Sequence, residues 1–142
     1  MPHLTLDYTA NLDADADMGG LCTALAATLA ALRHDEGGPL FPLAGTRVMA
    51  RPAPHFAVAD GRPERAFVYL DLLVTPGRSA AMIERAGQAL LACCKTHLAP
   101  VFEAHAVGLT LHISEAMPLY EGKHNNLAAH LAADAAASAL PA

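Results

Sequence analysis

The residue with the most distinctive chemistry open to it is Pro2, directly after Met1. If Met1 is removed, Pro2 carries a free secondary amine on a fixed ring. The stretch Pro2-His3-Leu4-Thr5-Leu6-Asp7-Tyr8 can then hold that nitrogen in a pocket, where it could act as a base. A Met-Pro pair also suits an ordinary strand start, so its chemistry is judged by what the rest of the chain supplies. Eight histidines are present, yet none forms HxH or HExxH, and His124 and His130 miss the i,i+4 spacing that places two ligands on one helix face. Cys93 and Cys94 are adjacent and Cys22 stands apart, which leaves neither a CxxC pattern nor a disulfide framework. Predicted helices surround these thiols with apolar or small neighbours, giving no sign of thiolate activation. No metal site and no cysteine nucleophile is expected.

With 142 residues, 54% of them hydrophobic, the chain is long enough to bury one core and too short for two independent domains. A net charge of −5 with only nine Lys and Arg argues against nucleic acid as a partner, because phosphate contacts demand clustered cations. No apolar run has the length of a membrane span, and the N-terminus lacks the basic and apolar regions of a secretory signal. A cytoplasmic protein with no membrane partner is expected.

The elements that must position Pro2 follow from periodicity. Leu4, Leu6 and Tyr8 alternate with polar residues, the pattern of a strand with one face on a core. Capping candidates over Asn11 to Asp17 precede a helix whose Leu21, Leu25, Leu29 and Leu32 fill one stripe. His34 to Pro39 stops that helix and forms a loop, a candidate rim or lid. Gly45 to Arg51 reads as a short strand, with its arginines on one face, ended by Pro52-Ala53-Pro54. His55 to Pro63 contains the turn signature Ala59-Asp60-Gly61 and is compatible with a short hairpin. A central strand from Ala66 to Thr75 comes next, apolar on both faces. Ser79 caps a second helix that buries Ile83, Gly87, Leu90, Leu91, Cys94 and Leu98 and ends near Pro100. Leu109, Leu111 and Ile113 alternate in a last half-buried strand, and the Ala-rich stretch from Asn126 to Leu140 suits a short helix or a frayed tail.

These elements make an α+β fold. Two β-α-β units form a four-stranded mixed sheet with two helices on one face, in a single domain over residues 1–131 with an Ala-rich tail over 132–142. The opposite sheet face, expected to be rich in short apolar side chains, is left without cover, which predicts oligomerisation.

Several segments, in order and with compatible spacing from Pro2 to about Leu131, resemble the 5-carboxymethyl-2-hydroxymuconate isomerase family of the tautomerase superfamily. They are Pro2-His3, Phe41-Pro42-Leu43-Ala44-Gly45-Thr46-Arg47, Ala59-Asp60-Gly61, Ala66-Phe67-Val68, Gly77-Arg78-Ser79 and Lys123-His124-Asn125-Asn126. The resemblance implies a homotrimer with its sheets around a central axis and a cofactor-independent isomerase in aromatic-compound degradation. It implies further that the amino-terminal proline is the base and that Arg47 and Arg78 bind substrate and assist catalysis. The implied substrate is an unsaturated hydroxy- or oxo-di- or tricarboxylate of the 2-hydroxymuconate type. One of its protons leaves the 2-hydroxyl and returns to a distant carbon, giving the conjugated 2-oxo product.

That reaction sets demands on the residues. A dialkyl amine is too basic to return a proton near neutral pH, so burial and nearby guanidinium groups must lower the pKa of Pro2. Arginine supplies bidentate donors for carboxylates and stabilises charge developing on the dienolate oxygen. Considered alone, Arg47 and Arg78 are better explained as surface pairs with Asp or Glu, worth little. Arg78, however, stands just before a helix, where the dipole does not favour a cation. Lys123, Asn125 and Asn126 match the family but also suit a turn or a subunit contact, and are left outside the catalytic set. His34 to Leu40 looks like an insertion relative to the family pattern, which puts the identity of the substrate in question. A different class of reading is a trimeric tautomerase-fold binding or scaffold protein without turnover. It would apply if Met1 stays and leaves Pro2 a tertiary amide.

Overall fold

The computed structural model describes residues 1–139. Strands β1 (His3–Thr9), β2 (Arg47–Ala53), β3 (Arg65–Val74) and β4 (Ala106–Glu115) form one sheet in the order β2-β1-β3-β4. β1 pairs parallel with β2 and β3 parallel with β4, while β1 and β3 meet antiparallel at the centre. Each parallel pair needs a crossover, supplied by α1 (Met18–Ala31) and α2 (Ala80–His97). The sheet is therefore two β-α-β units joined along β1 and β3, as expected.

Alternation dictates which way the helices lie. Leu4, Leu6, Val68, Leu70 and Leu72 are fully buried and join Leu21, Leu25, Leu29, Ala86, Leu90 and Cys94 in one core. Asp17 caps α1, its carboxylate accepting from the Gly20 amide at 2.8 Å, and Ser79 caps α2 through the Met82 amide at 3.2 Å.

Several local expectations need correction. β2 runs through Pro52, which pairs in register with Tyr8, because β2 is an edge strand and a proline there costs no ladder bond on its open side. No hairpin forms between His55 and Pro63. Asp60 instead gathers Arg62 and Arg65 at 3.3 and 3.1 Å, while Ala59 and Gly61 take positive φ angles of 53° and 77°. The second helix does end near Pro100, at His97, but Pro100 then opens a further short helix, α3 (Ala99–Ala104), in whose first turn a missing amide hydrogen is harmless. On the second helix Leu90, Cys94 and Leu98 are buried as expected and Ala86 joins them, whereas Ile83, Gly87 and Leu91 are only half-buried beside the edge strand β4.

The segment His34 to Pro39 is no free lid. It closes on itself through Arg33–Pro39 pairing and the His34 amide to the Gly38 carbonyl at 2.8 Å. Arg85 of α2 pins it through Asp35 at 2.6 Å and the Arg33 carbonyl at 3.2 Å. The face of the sheet away from the helices is uncovered, but it is not rich in short apolar groups. Odd-numbered positions of β1, β2 and β3 place Thr5, Asp7, Met49, Tyr69 and Asp71 there, and His112 of β4 joins them opposite Asp71. Beyond β4 an extended stretch leads to α4 (Leu127–Ala139), which crosses the boundary at residue 131 and buries none of its residues within this chain. Leu140, expected at the end of that helix, lies outside the described residues.

Candidate active site

Pro2 is buried at the entrance of β1, and its carbonyl accepts from the Arg47 amide at 3.0 Å, so the first residues of β1 and β2 are fastened together. The side chain of Met1 lies over the turn that precedes β2. A Cβ at Gly45 would come within 3.1 Å of Met1 Cγ and 3.3 Å of Pro42 Cγ, so that position demands glycine or a displaced methionine. The amino-terminal nitrogen lies 3.5 Å from Thr75 Oγ1. It borders a cavity of about 280 Å³ lined by His3, Leu73, Thr75, Met117 and Glu121, among others.

Arg78 approaches this nitrogen from the start of α2. Its Nη1 donates to the Thr75 carbonyl at 2.7 Å and its Nη2 to the Leu40 carbonyl at 3.3 Å, while the guanidinium lies 4.6 Å from the centre of the Phe41 ring. Cation–π contact and carbonyls hold the group without cancelling its charge. Its buried Nε has no partner among the described residues. Burial lowers the pKa of Arg78, with Glu115 acting in the opposite direction.

Arg47 folds over the preceding turn, its Nη1 donating to the carbonyls of Ala44 and Thr46, each at 2.9 Å. Arg51, Arg62, Arg65 and Arg85 all pair with carboxylates. Among the described residues neither Arg47 nor Arg78 does, so the surface-pair alternative fails for both.

The amino-terminal amine is less basic than usual, below its ordinary value of 8.0. Partial burial is the largest cause, repulsion from Arg78 the next and from Lys123 the third, with Glu121 opposing them. Thr75, Phe41, Lys123 and Glu121 were not selected from sequence as site residues. Lys123 carried a signal through its place in the family-like stretch, whereas Thr75 and Phe41 act through a carbonyl and a ring face that no spacing rule marks.

Three histidines and two cysteines are engaged away from this cavity. His97 bonds the Asp17 carbonyl at 2.8 Å, His105 meets Asp15 at 2.9 Å and His112 meets the Tyr69 hydroxyl at 2.8 Å. No three His, Cys, Asp or Glu side chains among the described residues gather as a ligand set. Burial raises the pKa of Cys22 and pushes Cys94 up to about 12, leaving both as thiols. No helix among the described residues is long and apolar enough to cross a membrane.

The sequence profile of the 5-carboxymethyl-2-hydroxymuconate isomerase family matches residues 2–131. The 5-carboxymethyl-2-hydroxymuconate Delta-isomerase of Escherichia coli is 33% identical over 127 residues, spanning 89% of this chain and 96% of its own length. A crystal structure of 5-carboxymethyl-2-hydroxymuconate delta-isomerase superposes with a TM-score of 0.88 at 41% identity, over 92% of this chain and 93% of that one. A 5-carboxymethyl-2-hydroxymuconate isomerase from Deinococcus radiodurans R1 superposes with a TM-score of 0.79 at 34% identity, over the same 92% and 93%.

Proposed function

This chain belongs to the 5-carboxymethyl-2-hydroxymuconate isomerase family of the tautomerase superfamily, and from that premise we propose that the isomerase works through the Pro2 nitrogen, acting on a 2-hydroxymuconate-type dienol. Removal of Met1 frees that nitrogen and empties the space over Gly45 and Pro42 that the Met1 side chain fills. The freed amine stands one residue further along the chain than the present amino terminus, within ~3.8 Å of it.

In the proposed reaction neutral Pro2 accepts the proton of the 2-hydroxyl. The oxygen lone pair then reorganises through the diene, and the protonated amine returns the proton to the far carbon, forming a C–H bond and the conjugated 2-oxo acid. One proton changes place and no electrons leave the molecule. Arg78 repels the protonated amine, which favours the free base at rest and proton return afterwards. The same guanidinium and Arg47, neither paired with a carboxylate among the described residues, stabilise the dienolate oxygen and bind substrate carboxylates.

The observation that carries this reading is that Pro2 is buried beside Met1, whose nitrogen lies 3.5 Å from Thr75 Oγ1, and that Arg78, held by the Thr75 carbonyl and the Phe41 ring, and Arg47 pair with no carboxylate among the described residues. We further propose a homotrimer, because the sheet face bearing Met49 and Leu73, 54% and 40% exposed, is left uncovered by the described residues of one chain. Steady-state isomerisation of 5-carboxymethyl-2-hydroxymuconate, followed by the loss of dienol absorbance in wild type, Pro2→Ala, Arg47→Ala and Arg78→Ala, tests the reading. Undiminished turnover in all three variants would refute it.

A further inference from the structure

The stretch that follows β4 returns to the amino terminus. The Ala116 amide bonds the Val74 carbonyl at 3.1 Å, which brings Met117, Pro118 and Glu121 to the wall of the cavity beside Met1. Two residues on, Lys123 Nζ meets Glu121 Oε2 at 2.9 Å, with the two side chains 47% and 42% exposed. A pair so exposed is weak and easily exchanged for another partner. Glu121 lines that cavity and Lys123 reaches it through their 2.9 Å pair, so the pair stands at the amino-terminal end of the cavity, where Lys123 lowers the pKa of the amine and Glu121 raises it.

The substrate class proposed above supplies a reason for a third cation. 5-Carboxymethyl-2-hydroxymuconate carries three carboxylates by its chemical constitution, and Arg47 and Arg78 are two cations. We propose that Lys123 receives the third carboxylate, that Glu121 occupies Lys123 while no substrate is bound, and that this exchange sets the preference for a tricarboxylate over a dicarboxylate. Lys suits the task because a flexible ammonium can swing from one carboxylate to another without bidentate geometry. Glu121 meanwhile keeps other anions from Lys123, so the substrate must compete with it. The inference rests on the proposed function for its ligand, but not for its test.

The test uses the whole protein with Lys123→Met, Lys123→Arg and Glu121→Gln. Turnover is measured on 5-carboxymethyl-2-hydroxymuconate and on 2-hydroxymuconate, which has two carboxylates. Equilibrium binding of propane-1,2,3-tricarboxylate, which has no enol to isomerise, is measured by calorimetry. Loss of one charged contact should raise KM for the tricarboxylate by about tenfold or more in Lys123→Met, with kcat kept. KM for 2-hydroxymuconate should stay within about twofold, since it lacks the carboxylate concerned. Lys123→Arg should restore the preference and Glu121→Gln should sharpen it.

The pH profile gives a second readout. The charged or titratable groups facing the amine are Arg78, Lys123, Glu121 and His3. Lys123→Met should move the acid limb of kcat/KM to higher pH and Glu121→Gln to lower pH. Equal losses on both substrates with no movement of the limb would mark Lys123 as merely structural and overturn the inference, as would unchanged kinetics. If wild type isomerised neither dienol but bound the tricarboxylate in a Lys123-dependent way, the proposed function would fall and this inference would stand. If that binding were indifferent to Lys123→Met, the inference would fall, whatever the turnover.

Discussion

Arg78 donates to the Thr75 carbonyl at 2.7 Å, and the hydroxyl of the same threonine lies 3.5 Å from the amino-terminal nitrogen. One residue at the end of β3 thus sets both the cation and the amine whose basicity that cation lowers. The helix start at Ser79 fixes Arg78 just outside the first turn of α2, and the ring of Phe41 supports its charge where the helix dipole does not. Fold and chemistry meet at this junction.

Arg78→Ala is expected to lower kcat by about 10² to 10³, the cost of removing one donor to a developing oxyanion. The same substitution should raise the pKa of the amine, since both repulsion and part of its burial are lost. A base is active when unprotonated, so the acid limb of kcat/KM must move to higher pH, as a rate–pH profile will record.

Arg47→Ala should act mainly on KM. The loss is expected at about tenfold to a hundredfold, the range for a hydrogen bond to a charged group. Arg47→Lys should not recover it, because an ammonium cannot clasp the carbonyls of Ala44 and Thr46 and also present a planar fork to a carboxylate. Steady-state kinetics on both variants checks this.

Arg85→Ala releases the tether on Asp35 and Arg33. If His34 to Pro39 is a pinned turn and not a lid, stability should fall by no more than about 1 kcal/mol, the value of an exposed ion pair, and turnover should be unchanged. Urea unfolding alongside the isomerisation assay reads both quantities.

Leu70 is fully buried on β3 and packs in the single core. Leu70→Ala should cost about 2 to 5 kcal/mol of stability, the loss of transfer free energy plus the cavity left behind. The midpoint of urea denaturation should drop accordingly.

Sequence periodicity conveyed the sheet well because one face alone is covered by helices. The even-numbered residues of β1 and β3 had to be apolar, and Leu4, Leu6, Val68 and Leu70 are. Pro52 misled because a proline signals a strand end unless the strand is known to lie at an edge, and that depends on pairing remote in sequence. On α2 the expected Leu90 and Cys94, with Leu98 just beyond the helix, are buried, whereas Ala86 is buried in place of Gly87, and Ile83 and Leu91 stay half-buried beside β4 at the sheet edge. Pro2, Arg47 and Arg78 were named through family-like segments, and the chain brings all three to the neighbouring starts of β1, β2 and α2. Thr75 and Glu121 escaped notice because their part depends on a backbone carbonyl and on the return of the segment after β4, neither of which leaves a mark in residue spacing.

The central claim is that the Pro2 nitrogen is the base, and the most direct measurement couples intact mass to turnover. Protein whose mass shows Met1 removed is assayed on 5-carboxymethyl-2-hydroxymuconate beside Pro2→Ala processed in the same way. The expected result is isomerisation by the wild type and a fall in kcat/KM of about 10² to 10⁴ in Pro2→Ala, the range for loss of a positioned general base. Turnover by Pro2→Ala equal to that of the wild type, or full activity in protein that keeps Met1, would contradict it.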